Sequence, residues 1–201
     1  MPAPSRTSDV DLPTRREALR ACPLFRSLTA AELEAVLVRA VIRRLTPGEV
    51  VLRCGDCASG MIVILQGRMR VSITTAEGQE ISLTVLGPGD VVGEIALLDS
   101  GERSADVTTI DEGVTLTIQR DDFLPLLQDS ASLCLRLIQV LCNRLRAANR
   151  SLEELATLSL SARLGRLLIR LAAHYGTRVG EELRLGVRLT EGSWHPDRRI
   201  S

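Results

Sequence analysis

The apolar positions of this chain change period along its length. Over TAAELEAVLVRAV, Leu33, Val36, Leu37 and Val41 recur at helical spacing, behind Ser27 or Thr29, either of which suits the cap of the first turn. From about Ile42 to Ile118 the period falls to two, and glycines at 48, 55, 60, 67, 78, 87, 89 and 93 break the stretch into short pieces. The clearest strand is RMRVSIT, which predicts Met69, Val71 and Ile73 inward and Arg68, Arg70 and Ser72 outward. A turn at Ala76-Glu77-Gly78 then returns the chain through EISLTVL. Short strands at this spacing predict a sandwich or barrel.

Near Phe123 the helical period returns. Ile138, Leu141, Leu145, Ala148, Leu152 and Leu155 alternate steps of three and four, an a/d seam along one helix that predicts pairing with a second copy as a homodimer. Ser159 or Ser161 starts another helix, with Leu164, Leu167, Leu168 and Leu171 on one face and Gly176 as its stop, so 157–161 is a hinge. Leu183, Leu185, Val187 and Leu189 then alternate as a strand would.

Composition narrows the function classes. The chain has 201 residues, 45% of them hydrophobic and 25% charged, with zero formal net charge, as in a soluble globular protein of about two domains. No apolar run approaches the roughly 18 residues of a membrane span. The opening MPAPSRTSDVDLPTRRE lacks the apolar core of a signal peptide, which predicts a flexible tail over 1–19 and a cytoplasmic product. All 25 basic residues are arginine, a bias expected of a GC-rich genome. Residues 160–201 carry eight arginines against Glu181, Glu182, Glu191 and Asp197, a local excess suited to phosphate contacts.

Five cysteines (Cys22, Cys54, Cys57, Cys134 and Cys142) are too scattered and odd in number for a disulfide framework. Cys54 and Cys57 form a C-x-x-C, but further ligands are distant in sequence and only His174 and His195 offer imidazoles, so no metal is expected. With no lysine there is no phosphate-binding P-loop. Gly87-Pro-Gly89-Asp-Val-Val-Gly93 misplaces the third glycine of a dinucleotide fingerprint, and no hydrolase or metalloprotease motif is present. The chain is not read as an enzyme.

One segment retains chemistry. In GEIALLDSGERSADV, Gly93 through Leu98 predicts a single helical turn entered through glycine, whose first amides, at Gly93, Glu94 and Ile95, favour an anion. Arg103 adds a guanidinium and Ser104 a hydroxyl, a supply that suits a singly charged phosphate without metal. Glu94, an acceptor when ionised, suits a sugar hydroxyl. A cyclic nucleotide has both groups. An ordinary surface ion pair between Glu94 and Arg103 is the plainer alternative.

The segment resembles the phosphate-binding cassette of cyclic-nucleotide-binding domains, G-E-[IL]-A-L-L followed by a variable loop and R-[ST]-A-x-V, matched from Gly93 through Arg103, Ser104, Ala105 and Val107. With PLFRSLTAAELEAV, GEVVLRCGD, RDDFLPLL and the seam helix, the chain over roughly 20–190 resembles the catabolite activator (cyclic-AMP receptor) or Crp/Fnr family of bacterial transcription regulators. That resemblance implies an α+β architecture: a double-stranded β-helix (β-roll, jelly-roll-like) nucleotide-binding domain over 20–130, a dimerisation helix over 131–157, and a winged helix-turn-helix over 158–201 that binds DNA. It also implies that Glu94 takes the ribose hydroxyl, Arg103 and Ser104 the cyclic phosphate, and the long helix the base. The hydroxyl pair that usually meets adenine is replaced by Ala148 and Asn149, leaving cAMP and cGMP both open as ligands, and Val92 stands where relatives often carry phenylalanine.

A helix, turn and recognition helix need roughly 20 residues, whereas EGSWHPDRRIS after Thr190 has Gly192 and Pro196 and no apolar periodicity. The expectation is therefore a truncated winged helix, with apolar surface left exposed beyond Thr157. Three readings stay open: a cyclic-nucleotide-sensing homodimeric transcription regulator, a nucleotide-binding dimer module that does not bind DNA, and a redox sensor of the iron–sulfur branch, for which only Cys22 lies near the expected cluster.

Overall fold

The computed structural model describes residues 12–179, 182–185, 188–190 and 193–195, which divide into two compact units, 1–138 and 139–201. In the first unit, α1 (Leu12–Ala21) and α2 (Ala30–Arg39) precede two four-stranded antiparallel sheets. One sheet has the order β1 (Val41–Leu45), β8 (Gly113–Gln119), β3 (Gly60–Gln66), β6 (Val91–Val92). The other has β2 (Val50–Leu52), β7 (Asp106–Thr109), β4 (Met69–Thr74), β5 (Glu80–Leu86). This is the expected jelly-roll, a sandwich whose strands cross over between neighbours in space.

The inner face is built by Leu45, Ile62, Ile64, Met69, Val92 and Val107, with Val51, Leu52, Val71 and Leu86 packed against them. On β3 both faces are buried, because Ile62 and Ile64 face the partner sheet while Met61 and Val63 take the opposite side. That outer side is covered by α1, α2 and α4 (Arg120–Asp129), which pack on β3, β8 and one another. Phe25 and Phe123, both fully buried, meet edge to face there with centroids 6.4 Å apart.

Thr29 caps α2: its hydroxyl accepts from the Glu32 amide and the Glu32 carboxylate accepts from the Thr29 amide, a reciprocal box. The β4–β5 hairpin turns where expected, with Thr75 N donating to Gln79 O and Gly78 at φ +79°.

Three expectations are corrected. The segment 12–19, read as tail, lies in α1, because Leu19 is fully buried and Arg16 pairs with Glu34 of α2. Residues 1–11 lie outside the described residues. Val41 does not continue the apolar face of α2; it opens β1 and is 57% exposed. Ser72 is not outward in solvent but 1% exposed. Its hydroxyl donates to Glu80 Oε1 at 2.6 Å, and Arg70 Nη2 pairs with the same oxygen at 2.9 Å, so a polar roof from β5 covers it. A register shift beside Val71 and Ser72 accompanies the change.

In α5 (Ala131–Thr157), Leu133 and Leu137 are buried in the first unit. In the second unit α5 runs on to Thr157 and α6 (Leu160–Tyr175) follows, its first turn closed by Ala162 N donating to Ser159 Oγ at 3.3 Å. The helix stops before Gly176, as the sequence predicts. Two hairpins come after it: β9 (Gly176–Val179) with β10 (Glu182–Leu185), and β11 (Arg188–Thr190) with β12 (Ser193–His195), where Leu189 pairs with Trp194. Leu160, Leu164, Leu168 and Ile169 of α6 are exposed. The side chains of Leu167, Leu171 and His174, and residues Val187, Gly192 and Pro196, lie outside the described residues. No helix among the described residues is long and apolar enough to cross a membrane.

Candidate nucleotide site

The site begins where β6 ends. Pairing of Val91 and Val92 with Val63 and Ile62 fixes that strand in the sheet, and the next residue, Gly93, reverses the chain at φ +84°. α3 (Glu94–Asp99) starts there and is held down by Glu94, Ala96 and Leu97, all buried, while Ile95 is 45% exposed. The Gly93 carbonyl accepts from Leu97 N at 3.3 Å. Past α3, the chain turns through Ser100 at φ +62°, and Asp99 Oδ1 accepts from Gly101 N.

Arg103 is then clamped twice. Its peptide pairs with the loop 53–57: Gly55 N donates to Arg103 O and Arg103 N to Asp56 O, each at 2.9 Å. Its guanidinium donates from Nη1 to Gly93 O at 2.7 Å and from Nη2 to Gly60 O at 2.5 Å. Both acceptors are glycines for steric reasons. A Cβ on Gly93 would lie 2.5 Å from Arg103 Nη1, and one on Gly60 would lie 2.4 Å from Ile118 O.

Glu94 is 0% and Arg103 7% exposed, so the two are not a surface ion pair. Burial pushes the Arg103 pKa below its ordinary value, while the negative charges of Glu94 and Asp56 push it back up. Two of the five guanidinium donors are engaged on carbonyls, and the remainder, with the exposed Ser104 hydroxyl one residue on, suit a small anion.

A protein-family model, described as the cyclic nucleotide-binding domain, matches residues 42–130. The chain is 29% identical over 164 residues to the CRP-like cAMP-activated global transcriptional regulator of Mycobacterium tuberculosis, covering 79% of this chain and 73% of that protein. It is 32% identical over 138 residues to the cyclic AMP receptor protein of Thermus thermophilus, covering 69% of this chain and 64% of the relative. The crystal structure of the Thermus thermophilus catabolite activator protein superposes with a TM-score of 0.60 at 33% identity, over 67% of this chain and 63% of that one. Residues 42–130 thus match a cyclic nucleotide-binding domain, and the chain is similar to transcription regulators of the Crp/Fnr family.

Gly93, Glu94, Ile95, Arg103 and Ser104 fall together in the first unit. Ala148 and Asn149 lie on α5 in the second unit, both exposed. The sequence reasoning missed Gly60 and Asp56. Gly60 was legible only as one more punctuating glycine, and its carbonyl, like that of Asp56, acts through the backbone, which carries no side-chain signature. Cys54 and Cys57 are exposed free thiols on the loop that holds the Arg103 peptide, and among the described residues no three His, Cys, Asp or Glu side chains gather as a metal cluster would.

Proposed function

We propose that this chain is a cyclic-nucleotide sensor, with cAMP as its ligand, that regulates transcription in the cytoplasm as a homodimer. The observation that carries the reading is Arg103: a buried cation, positioned by two glycine carbonyls and a doubly bonded peptide, beside an exposed Ser104. A cyclic phosphate offers the single negative charge that such a group needs, without metal. Glu94 is assigned to the ribose hydroxyl and the backbone of Gly93 and Ile95 to the phosphate turn, while for the base the sequence reading offers Ala148 and Asn149 of α5. The Asn149 amide carries both a donor and an acceptor, matching the adenine edge, with cGMP as the competitor to be ranked.

Dimerisation runs through α5. Ile138, Leu145, Leu152 and Leu155 of the seam are more than half exposed in the single chain, Leu141 is half-buried and Ala148 exposed. Covering a leucine is worth about 2 kcal/mol, so several pairs drive association. DNA is the partner that the resemblance to transcription regulators suggests, set against the recognition helix that the sequence after Thr190 does not supply.

The test is calorimetric titration of cAMP and cGMP into the purified protein, with Arg103→Ala as control. Saturable binding that the control loses, tighter for cAMP, is the expected result. Binding of neither nucleotide, or undiminished binding by Arg103→Ala, overturns the assignment.

A further inference from the structure

We propose that Cys54 and Cys57 form a modifiable dithiol, which a low-molecular-weight disulfide of the glutathione type converts to an intraloop bridge, loosening the loop that positions Arg103. Its effect on ligand affinity rests on the nucleotide reading above; its effect on the loop does not.

Both thiols are free and exposed, and they lie three residues apart on one loop. The other cysteines of the first unit are sequestered: Cys22 is buried, and the Cys134 thiol donates to Leu127 O at 3.0 Å. The loop itself is a turn, closed by Asp56 N donating to Arg53 O at 3.2 Å, with Gly55 at φ +83°. It lies alongside 102–106 and is fastened there by three hydrogen bonds. Cys54 N donates to Asp106 Oδ1 at 2.9 Å, Gly55 N to Arg103 O, and Arg103 N to Asp56 O, the last within the antiparallel pairing of Cys57 with Glu102. Every one of the fastened loop residues belongs to the Cys54–Cys57 segment, so whatever reshapes that segment acts on the Arg103 peptide directly.

The chemistry balances as thiol–disulfide exchange. The thiolate of one cysteine attacks a sulfur of the small disulfide and releases one thiolate from it. The second cysteine then attacks the resulting mixed disulfide, forming the Cys54–Cys57 bond and releasing the other. The protein loses two hydrogens and the disulfide becomes two thiols. Closing such a bridge requires the two Cα atoms to come within about 4.4–6.8 Å with the sulfurs facing each other. The bridge places that constraint on the segment whose peptides are bonded to 102–106, and loosening of the two bonds to Arg103 is the consequence proposed. Each backbone hydrogen bond lost corresponds to roughly a five-fold change in the opening equilibrium.

The experiment compares reduced protein with protein treated with glutathione disulfide, on a Cys142→Ser background, since Cys142 is the other exposed thiol. Peptide mapping reads the loss of two hydrogens from the Cys54–Cys57 peptide. Hydrogen exchange reads the Gly55 and Arg103 amides, and titration reads cAMP affinity. The expected result is a bridge that reducing agent reverses, exchange at those two amides faster by roughly five-fold or more, and cAMP Kd raised by a similar factor. A Cys54→Ser, Cys57→Ser double variant should show none of these responses. Thiols that stay reduced or stop at the mixed disulfide, or a bridged protein whose two amides exchange at the reduced rate, overturn the proposal. If bridged protein with accelerated amides binds cAMP as tightly as reduced protein, the coupling to ligand is overturned. If reduced protein binds no cyclic nucleotide, the ligand assignment fails instead, and the amide exchange still decides the bridge.

Discussion

Replacing Gly93 by alanine separates two costs that glycine avoids at this position. The first is backbone strain: at φ +84° an L-residue sits in the left-handed region, at a cost of about 1–2 kcal/mol. The second is steric and specific to the site, since the new Cβ would lie 2.5 Å from Arg103 Nη1 and 3.2 Å from both Arg103 Cζ and Leu52 Cδ1. The guanidinium must move, and with it goes the Nη1 bond to Gly93 O, a charge-assisted bond worth about 1.5–3 kcal/mol. Gly78 provides the matched control. It has nearly the same φ, +79°, but a Cβ there meets nothing within 4 Å. Urea unfolding should therefore show Gly78→Ala losing about 1–2 kcal/mol and Gly93→Ala about 2.5–5 kcal/mol. Gly93→Ala should also lose cyclic-nucleotide binding, while Gly78→Ala retains it. Equal losses of stability in the two variants would refute the claim that Gly93 is set by Arg103 rather than by its turn.

Further outcomes follow from other contacts. Thr29→Ala removes the capping box of α2 and should cost about 1 kcal/mol in urea unfolding, with Thr29→Ser close to the parent. Leu145→Glu places a charge on the seam, where the parent side chain is 62% exposed, and should shift sedimentation toward monomer without changing the helical circular dichroism. Burial raises the pKa of the Cys22 thiol above its ordinary value of 9.0. The protonated thiol is favoured in the folded chain, so this contribution is intact below about pH 9 and is lost as pH rises through the higher folded value. Cys22→Ala should flatten that alkaline decline in unfolding experiments.

What the sequence disclosed, and what it hid, divides along physical lines. The turn at Gly78 and the cap at Thr29 depend on local backbone demands, which residue types announce directly. The cassette was legible because Gly93 and Arg103 are each constrained by the other across a short span. α1 was not, because Leu19 gains its burial only from elements that follow it in the chain. Ser72 was misplaced for a similar reason: its partner, Glu80, comes from the next strand, and a satisfied hydroxyl is tolerated where a bare one is costly. Arg103's acceptors were invisible because they are carbonyl oxygens of Gly93 and Gly60, common to any residue at those positions.

Those carbonyls also explain how an arginine survives in a largely enclosed place before any ligand arrives. Burial disfavours its charge, and the compensation comes from two backbone dipoles together with the fields of Glu94 and Asp56. The two carboxylates set a limit on the ligand as well. An anion binding at Arg103 gains from the cation but is repelled by both, so a monoanionic cyclic phosphate is favoured over the dianion of its hydrolysed 5′-monophosphate. Neutralising Asp56 as Asp56→Asn keeps the backbone carbonyl that accepts from Arg103 N and removes only the charge. Competition titrations should then show the preference for cAMP over AMP narrowing. An unchanged preference would mean that shape, not charge, excludes the dianion.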